Sequence, residues 1–366
     1  MEVVLKNFSE ATSGRLGNDC LVASRSGGTR VERVGDITVH YLKEHGTFLL
    51  APILPSLPWV IHRLRRRNDF SALMLHYPNP TAILALFLSL IFLPKKEKIV
   101  VWYHADVLLD ERWKRGLYAL IRPIEEFVFR RTDAFVAATP NHVSQSATFG
   151  RFGDRTAIIP SALPDGWFDV SPEEILDAKA VREKMGGKFL LFVGRLVPYK
   201  GLATLVRAAQ GIDCRFAIIG SGPLEDSLRS EIRARGLAEK VLLLGNVADV
   251  RPYYLGCEFF VLPSISALEG FGIVQIEAMA LGKPVVSSDL QTGVTYVNRD
   301  GETGLTFPAG NAEAFAAACN RLLEDEELRL RLGEAARRRT REKFSYSSMA
   351  AQAAEFFHRL CGDAAG

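Results

Sequence analysis

The sequence predicts an α/β protein made of two doubly wound domains, and three observations carry that prediction. The chain has 366 residues, which suits two domains of about 150–200 residues better than one. Short apolar, β-branched runs alternate with helical stretches along its whole length, the pattern of strand–helix units. Several runs, such as KIVVWYH and KFLLFVG, are apolar almost without a break, as parallel strands covered on both faces are.

Taken in order, strands are expected at 37–42, 72–77, 98–104, 133–139 and 156–161 in the first half. In the second half they are expected at 189–194, 215–220, 241–245, 259–264, 284–288 and 304–307. A domain boundary falls near Leu163-Pro-Asp-Gly166. Just after it, Ser171-Pro-Glu-Glu174 carries an N-cap, a proline at the first helical position and a capping-box glutamate. The run 82–93, AILALFLSLIFL, is too short to span a bilayer and reads as a buried helix. The tail 347–360 reads as an amphipathic helix with Met349, Ala353, Phe356, Phe357 and Leu360 on its apolar side.

Composition narrows the function. Hydrophobic residues make up 48% and charged residues 24%, which is globular and excludes wholesale disorder. A net charge of +3 is too small to make nucleic acid the main partner. The five cysteines, Cys20, Cys214, Cys257, Cys319 and Cys361, never form C-x-x-C. They suit a reducing compartment rather than a disulfide framework or zinc ribbon. No apolar leader follows Met1. Residues 1–165 carry 21 Lys and Arg against 16 Asp and Glu. The excess gathers at Arg63 with Arg65, Arg66 and Arg67, at Lys95, Lys96 and Lys98, and at Arg112-Trp-Lys-Arg115. Basic clusters with a tryptophan among them suit either an anionic membrane surface or solvated helix faces.

Two clusters carry chemistry. Gly194-Arg-Leu-Val-Pro-Tyr-Lys-Gly201 lies between a buried strand and a helix, at the carboxyl edge where open α/β sheets bind ligands. Arg195 and Lys200 bring two cations there, one forked and one a point charge, and Gly194 and Gly201 permit close backbone approach. Glu269-Gly-Phe-Gly-Ile-Val-Gln-Ile-Glu277 follows another strand and its loop. Gly270, Phe271 and Gly272 open a helix at Ile273, whose first N–H groups suit an anion or hydroxyl. Glu269 and Glu277 are carboxylates able to accept hydrogen bonds from a sugar and a ribose. In the first half, His76-Tyr-Pro-Asn-Pro80 and Tyr103-His-Ala-Asp106 follow buried strands. No Asp-x-Asp is tied to a strand end, so neither a metal clamp nor a divalent-cation requirement is expected.

The chain resembles the family 4 retaining glycosyltransferases of the GT-B fold. The matching segments are GRLVPYKG, GSGP at 220–223, LGNV at 244–247, EGFGIVQIEAMALGKPVV and TGVTYVNRDGETGLTF, in order across most of 189–308. The resemblance implies two Rossmann-like domains facing a cleft. Residues 1–166 would take the acceptor, 167–345 the nucleotide sugar, and 346–366 would form a helix crossing back to the first domain. It implies that Gly194, Arg195 and Lys200 hold the donor diphosphate and that Glu277 holds the ribose. Glu269, Gly270, Phe271, Gly272 and Ile273 would lie against sugar and phosphate, and Val247 near the base. His104 would approach the transferred sugar, and His76 and Asp106 the acceptor, so that His104, Glu269, Arg195 and Lys200 form the catalytic set. The H-Y-P-N-P and H-x-D elements resemble those of mannosyltransferases building bacterial surface polysaccharides. The implied reaction is metal-independent hexosyl transfer from a nucleotide diphosphate sugar, first GDP-mannose and next a UDP-hexose or UDP-N-acetylhexosamine. No cofactor is implied. The acceptor would be a saccharide or lipid-linked glycan at the cytoplasmic face of the inner membrane.

The family opens with a strand and a glycine-rich loop before its first helix, whereas Met1–Phe8 here aligns with that helix. The first strand and loop are therefore expected to be missing, with a start codon upstream of Met1 as the favoured explanation. A catalytically dead nucleotide-sugar-binding scaffold is the alternative. An NAD-dependent oxidoreductase is weaker, because Gly220-Ser-Gly222 lacks the full G-x-G-x-x-G after a first strand.

Overall fold

The computed structural model describes residues 2–13, 15–16, 19–24, 28–34, 37–48, 51–67, 70–104, 112–146 and 149–362. The chain divides into two compact units, one of residues 1–160 with 349–366 and one of residues 161–348.

The first unit opens with helix α1 (Glu2–Thr12), which buries Phe8 edge-on against Trp102 at 4.9 Å. Strands β1 (Asp19–Ser24), β2 (Arg30–Val34) and β3 (Ile37–Lys43) form a sheet in the order β1-β3-β2. β1 runs parallel and β2 antiparallel to β3. A short hairpin, β4 (Thr47–Phe48) with β5 (Ala51–Pro52), leads to α2 (Leu57–Arg67). Four parallel strands then make a second sheet in simple order: β6 (Ala72–Tyr77), β7 (Lys98–Tyr103), β8 (Ala134–Ala137) and β9 (Thr156–Ile158). Between them run α3 (Pro80–Phe92), α4 (Arg112–Arg131) and α5 (Pro140–Gln145). The core joins Leu75, Tyr77, Ile99, Val101 and Tyr103 from the strands to Ile83, Leu86, Val128 and Phe129 from the helices.

Sequence patterning did not reveal β1, β2 or the small hairpin. β2 reads RVERV and is exposed at every position, so no buried face marks it in the sequence. Two other readings are corrected. The helix at 82–93 is not buried all round: Ile83, Ala85, Leu86 and Ser89 are buried, but Leu84, Ile91 and Phe92 are exposed. Arg65 does not belong to the basic surface. It is buried, ion-paired to Glu97, and hydrogen-bonded to Ser89 Oγ at 2.9 Å and Pro94 O at 3.0 Å. It continues the inward stripe of Leu57 and Ile61, four residues apart.

The second unit starts at α6 (Pro172–Lys184), where Ser171 and Glu174 form the full capping box. Its strands are β10 (Phe189–Val193), β11 (Arg215–Ile219), β12 (Val241–Gly245), β13 (Phe260–Leu262), β14 (Val285–Ser288) and β15 (Gly304–Phe307). They are all parallel, in the order β12-β11-β10-β13-β14-β15. Between the strands lie α7 (Leu202–Ala208), α8 (Glu225–Ala234), α9 (Arg251–Gly256), α10 (Ile273–Ala280) and α11 (Gly293–Val297). α12 (Ala312–Glu324) and α13 (Glu326–Lys343) follow, and α14 (Tyr346–Cys361) starts at the end of this unit and from Met349 onward belongs to the first. The apolar runs behave as patterned, since Phe189, Leu190, Leu191 and Phe192 are fully buried. Strand order reverses between β10 and β13, and such a switch point leaves a crevice at the carboxyl ends. α14 buries Met349, Ala350, Ala353, Phe356 and Phe357.

Candidate active site at the switch point of the six-stranded sheet

Four neighbouring strands end in the loops the sequence singled out. From the edge inward, β12 leads to Asn246 and Val247, β11 to Gly220–Pro223, β10 to Gly194–Gly201, and β13 to Pro263–Gly272. Because the strands are parallel, all four loops lie on one edge. Backbone hydrogen bonds chain them together: Gly220 N donates to Gly245 O at 2.8 Å, Leu196 N to Ser221 O at 3.0 Å, and Ile265 N to Tyr199 O at 2.8 Å.

The motif glycines have a steric reason. Gly201 sits at φ +68°, and a Cβ there would lie 1.9 Å from Pro263 O. Gly220, at φ +133°, would put a Cβ 2.0 Å from Gly194 O. Neither position can hold a side chain while these loops remain in contact.

Across the switch point, Lys200 from the β10 loop meets Glu269 from the β13 loop. Lys200 Nζ is 2.6 Å from Glu269 Oε2, and both groups are buried. Ser264 Oγ donates to the same carboxylate oxygen at 2.7 Å. Gly194 lies against the Lys200 side chain, whose Nζ would be 3.6 Å from an added Cβ. Arg195 is exposed and has no ion-pair partner among the described residues. At the end of the β13 loop, α10 begins at Ile273 with Gly272 as its N-cap in the left-handed conformation and no side-chain cap. Gln275 N turns back to Gly272 O at 2.8 Å, which leaves the N–H groups of Ile273 and Val274, without a partner among the described residues, to face a ligand. Gly270 O accepts a 2.7 Å hydrogen bond from Gly293 N, and Phe271 is buried. Those contacts brace the loop and tie it to the TGV segment.

Glu277 is held from behind. Tyr254, fully buried on α9, donates its hydroxyl to Glu277 Oε2 at 2.7 Å. The indole N–H of Trp167 donates to Glu277 O at 3.1 Å. Burial raises the Glu277 carboxyl above its ordinary range, with the Tyr254 hydrogen bond pulling the other way. Each glutamate thus anchors Oε2 inside the protein and leaves Oε1 without a protein partner among the described residues. The sequence had pointed to neither Tyr254 nor Ser264. Ser264, a polar residue at a strand's carboxyl end, carried a signal that could have found it; Tyr254 carried none, because its partner is 23 residues away.

In the first unit, β6 and β7 pair in register with His76 opposite Trp102 and Tyr77 opposite Tyr103. This brings His76 and His104 together, with Nδ1 of His76 2.9 Å from Nε2 of His104 and the rings stacked at 5.1 Å. Burial lowers His76 to about 4. Burial first, then the neighbouring His76 and His142, lowers His104 to about 2. Both imidazoles are neutral at pH 7, and one proton must lie between the facing nitrogens. His76 Nε2 is buried without a hydrogen-bond partner among the described residues. The rest of H-Y-P-N-P has a structural explanation. Tyr77 is buried in the core, Asn79 Oδ1 caps α3 by accepting from Ala82 N at 3.1 Å, and Pro80 opens the helix. Asp106 lies outside the described residues, as do the side chains of the 112–115 basic cluster.

Comparison with known proteins gives the family. Residues 174–339 match the model of glycosyl transferases group 1, and residues 1–164 match that of glycosyltransferase family 4. The O-antigen chain mannosyltransferase C of Escherichia coli is 33% identical over 304 residues, spanning 81% of this chain and 78% of that protein. The D-rhamnosyltransferase WbpZ of Pseudomonas aeruginosa is 35% identical over 273 residues, 74% of this chain and 68% of that one. Among solved structures, Anabaena HepE in complex with UDP superposes with a TM-score of 0.77 at 19% identity, covering 98% of this chain and 96% of HepE. The chain is a glycosyltransferase of the GT-B fold and belongs to family 4.

Proposed function

We propose that this glycosyltransferase moves a hexose, with mannose from GDP-mannose the first choice, onto a saccharide acceptor during surface-polysaccharide synthesis, retaining the anomeric configuration and using no metal. The observation that carries the reading is the buried Lys200–Glu269 pair across the switch point between β10 and β13, with exposed Arg195 in the same β10 loop and the Tyr254-held Glu277 on the helix that follows the β13 loop. The names of the Escherichia coli and Pseudomonas aeruginosa relatives support the sugar class and the pathway. The UDP bound by HepE makes a UDP-hexose the second donor to test.

The chemistry follows from the charges. Breaking the glycosidic bond leaves negative charge on the diphosphate. Preorganised cations and N–H dipoles stabilise that charge without reorganising. Arg195 supplies an uncompensated cation, the start of α10 supplies dipoles, and Lys200 supplies a cation already held in place by Glu269. Oε1 of Glu269 accepts from sugar hydroxyls and Oε1 of Glu277 from the ribose. Gly194, Gly270, Phe271, Gly272 and Ile273 form the backbone bed for phosphate and sugar, and Val247 lies toward the base. The reading assigns the neutral His104 to the transferred sugar, and His76 and Asp106 to the acceptor. With Glu269 Oε2 committed to Lys200 and Ser264 and its Oε1 assigned to sugar hydroxyls, the reading takes front-side attack by the acceptor and no covalent glycosyl-glutamate.

The test is transfer from GDP-mannose to a lipid-linked saccharide, with the product linkage read by NMR. The expected product keeps the donor's α configuration, and chelator leaves the rate unchanged. Transfer only from UDP-sugars overturns the donor assignment. A β linkage overturns retention, and loss of activity with chelator overturns metal independence. Absence of transfer from any nucleotide sugar favours the inactive scaffold.

A further inference from the structure

The outer face of α2, α3 and α4 has a composition that neither the fold nor the chemistry above requires. α2 packs on α3, and α3 on α4. α2 and α3 share the core of Leu42, Leu54, Leu57, Ile61 and Ala85, so their opposite sides look outward together. On that outward side α3 exposes Leu84, Ile91 (52%) and Phe92 (71%), spaced seven and eight residues apart on one stripe. α2 exposes Trp59 (74%), stacked on His62, with Arg63 and Arg66 four and seven residues further along the same stripe. α4 adds Leu120 (71%). Monomeric proteins rarely leave so many large apolar side chains together in water.

The unpaired charge around the patch has one sign: on α4, Glu126 is paired with Arg130 and Arg151, and Glu125 accepts from the Tyr118 hydroxyl. Neither α2 nor α3 contains an aspartate or glutamate. Nearby Glu97 is taken by Arg65 and Asp133 by Lys95. Arg63, Arg66 and Lys96 are exposed with no acidic partner among the described residues. Among the described residues no helix is long and apolar enough to cross a membrane. A second copy would bring the same cations face to face, because a two-fold interface sets like against like.

We propose that this face docks on an anionic phospholipid bilayer. Trp59, Leu84, Ile91 and Phe92 enter the interfacial region, and Arg63, Arg66 and Lys96 meet head-group phosphates. The proposal stands independently of the donor reading.

Flotation of the full chain with vesicles of phosphatidylcholine, with and without phosphatidylglycerol, tests it. The chain should float with the anionic vesicles at least tenfold better than with the neutral ones, and less well as salt rises. Each basic residue near such a surface contributes about fivefold. Arg63→Glu with Arg66→Glu should therefore weaken binding about 25-fold or more, and Trp59→Ser with Phe92→Ser should abolish it. Both pairs lie on the surface, and an unchanged melting temperature checks that they fold. Three results would overturn the proposal: no binding to anionic vesicles, equal binding to neutral ones, or a dimer by light scattering that Phe92→Ser dissolves.

Discussion

Replacing Tyr254 with phenylalanine removes one oxygen and leaves the packing of α9 intact. The lost group is the hydroxyl that donates to Glu277 Oε2 at 2.7 Å from a fully buried position. Hydrogen bonds to charged groups contribute about 1.5–3 kcal/mol, so unit 161–348 should melt about 3–12 °C lower. The functional effect follows from the same bond. Without it the Glu277 carboxylate, already raised by burial, rises further and loses its fixed orientation. If Oε1 accepts from the ribose, donor affinity should fall by about 10- to 100-fold, the same energy expressed as binding. The acid limb of donor binding should also move to higher pH, because the carboxylate protonates sooner. Isothermal titration with the preferred nucleotide sugar, repeated across pH, measures both. Donor affinity equal to wild type, with the acid limb unmoved, would refute the claim that Tyr254 sets Glu277 for the ribose.

Lys200→Ala should abolish measurable transfer and also destabilise the fold by about 3–5 kcal/mol, since it strands the buried Glu269 charge; adding Glu269→Gln should restore much of the melting temperature but none of the activity. Arg195→Ala should do the opposite, leaving stability within about 0.5 kcal/mol while lowering donor turnover about 100-fold or more, because Arg195 is exposed and unpaired among the described residues. The buried histidines set a pH dependence. Their folded pKa values, about 4 for His76 and about 2 for His104, lie below the ordinary 6.5, so the unfolded chain binds more protons in acid. Stability should therefore be full above about pH 6.5 and fall steadily toward pH 4, and His76→Gln should flatten that slope in denaturant melts.

β3 and the parallel strands β6 to β15 were legible because their apolar runs are nearly unbroken, as KFLLFVG shows, whereas β1, β2 and the β4–β5 hairpin were not. The loops at the carboxyl ends of β10 and β13 were legible too, since glycines and cations at strand ends leave a local trace. What the sequence hid is tertiary. The pairing of Lys200 with Glu269 depends on β13 lying beside β10, and no local pattern states that strand order. Tyr254 reaches Glu277 from another helix. In α3 no polar residue marks an outer face, so an apolar helix with one exposed stripe looked like a buried one. Arg65 sat unnoticed among three other arginines, although its spacing from Leu57 and Ile61 already pointed inward.

The most direct test of the account titrates the purified chain with GDP-, UDP-, ADP- and TDP-sugars and follows binding by calorimetry, for wild type beside Arg195→Ala and Glu277→Gln. The account predicts one saturable site with preference for GDP-mannose, weakened at least tenfold by either substitution. A nucleotide sugar bound equally well by all three proteins, or by none of them while the wild type melts cooperatively, would contradict it.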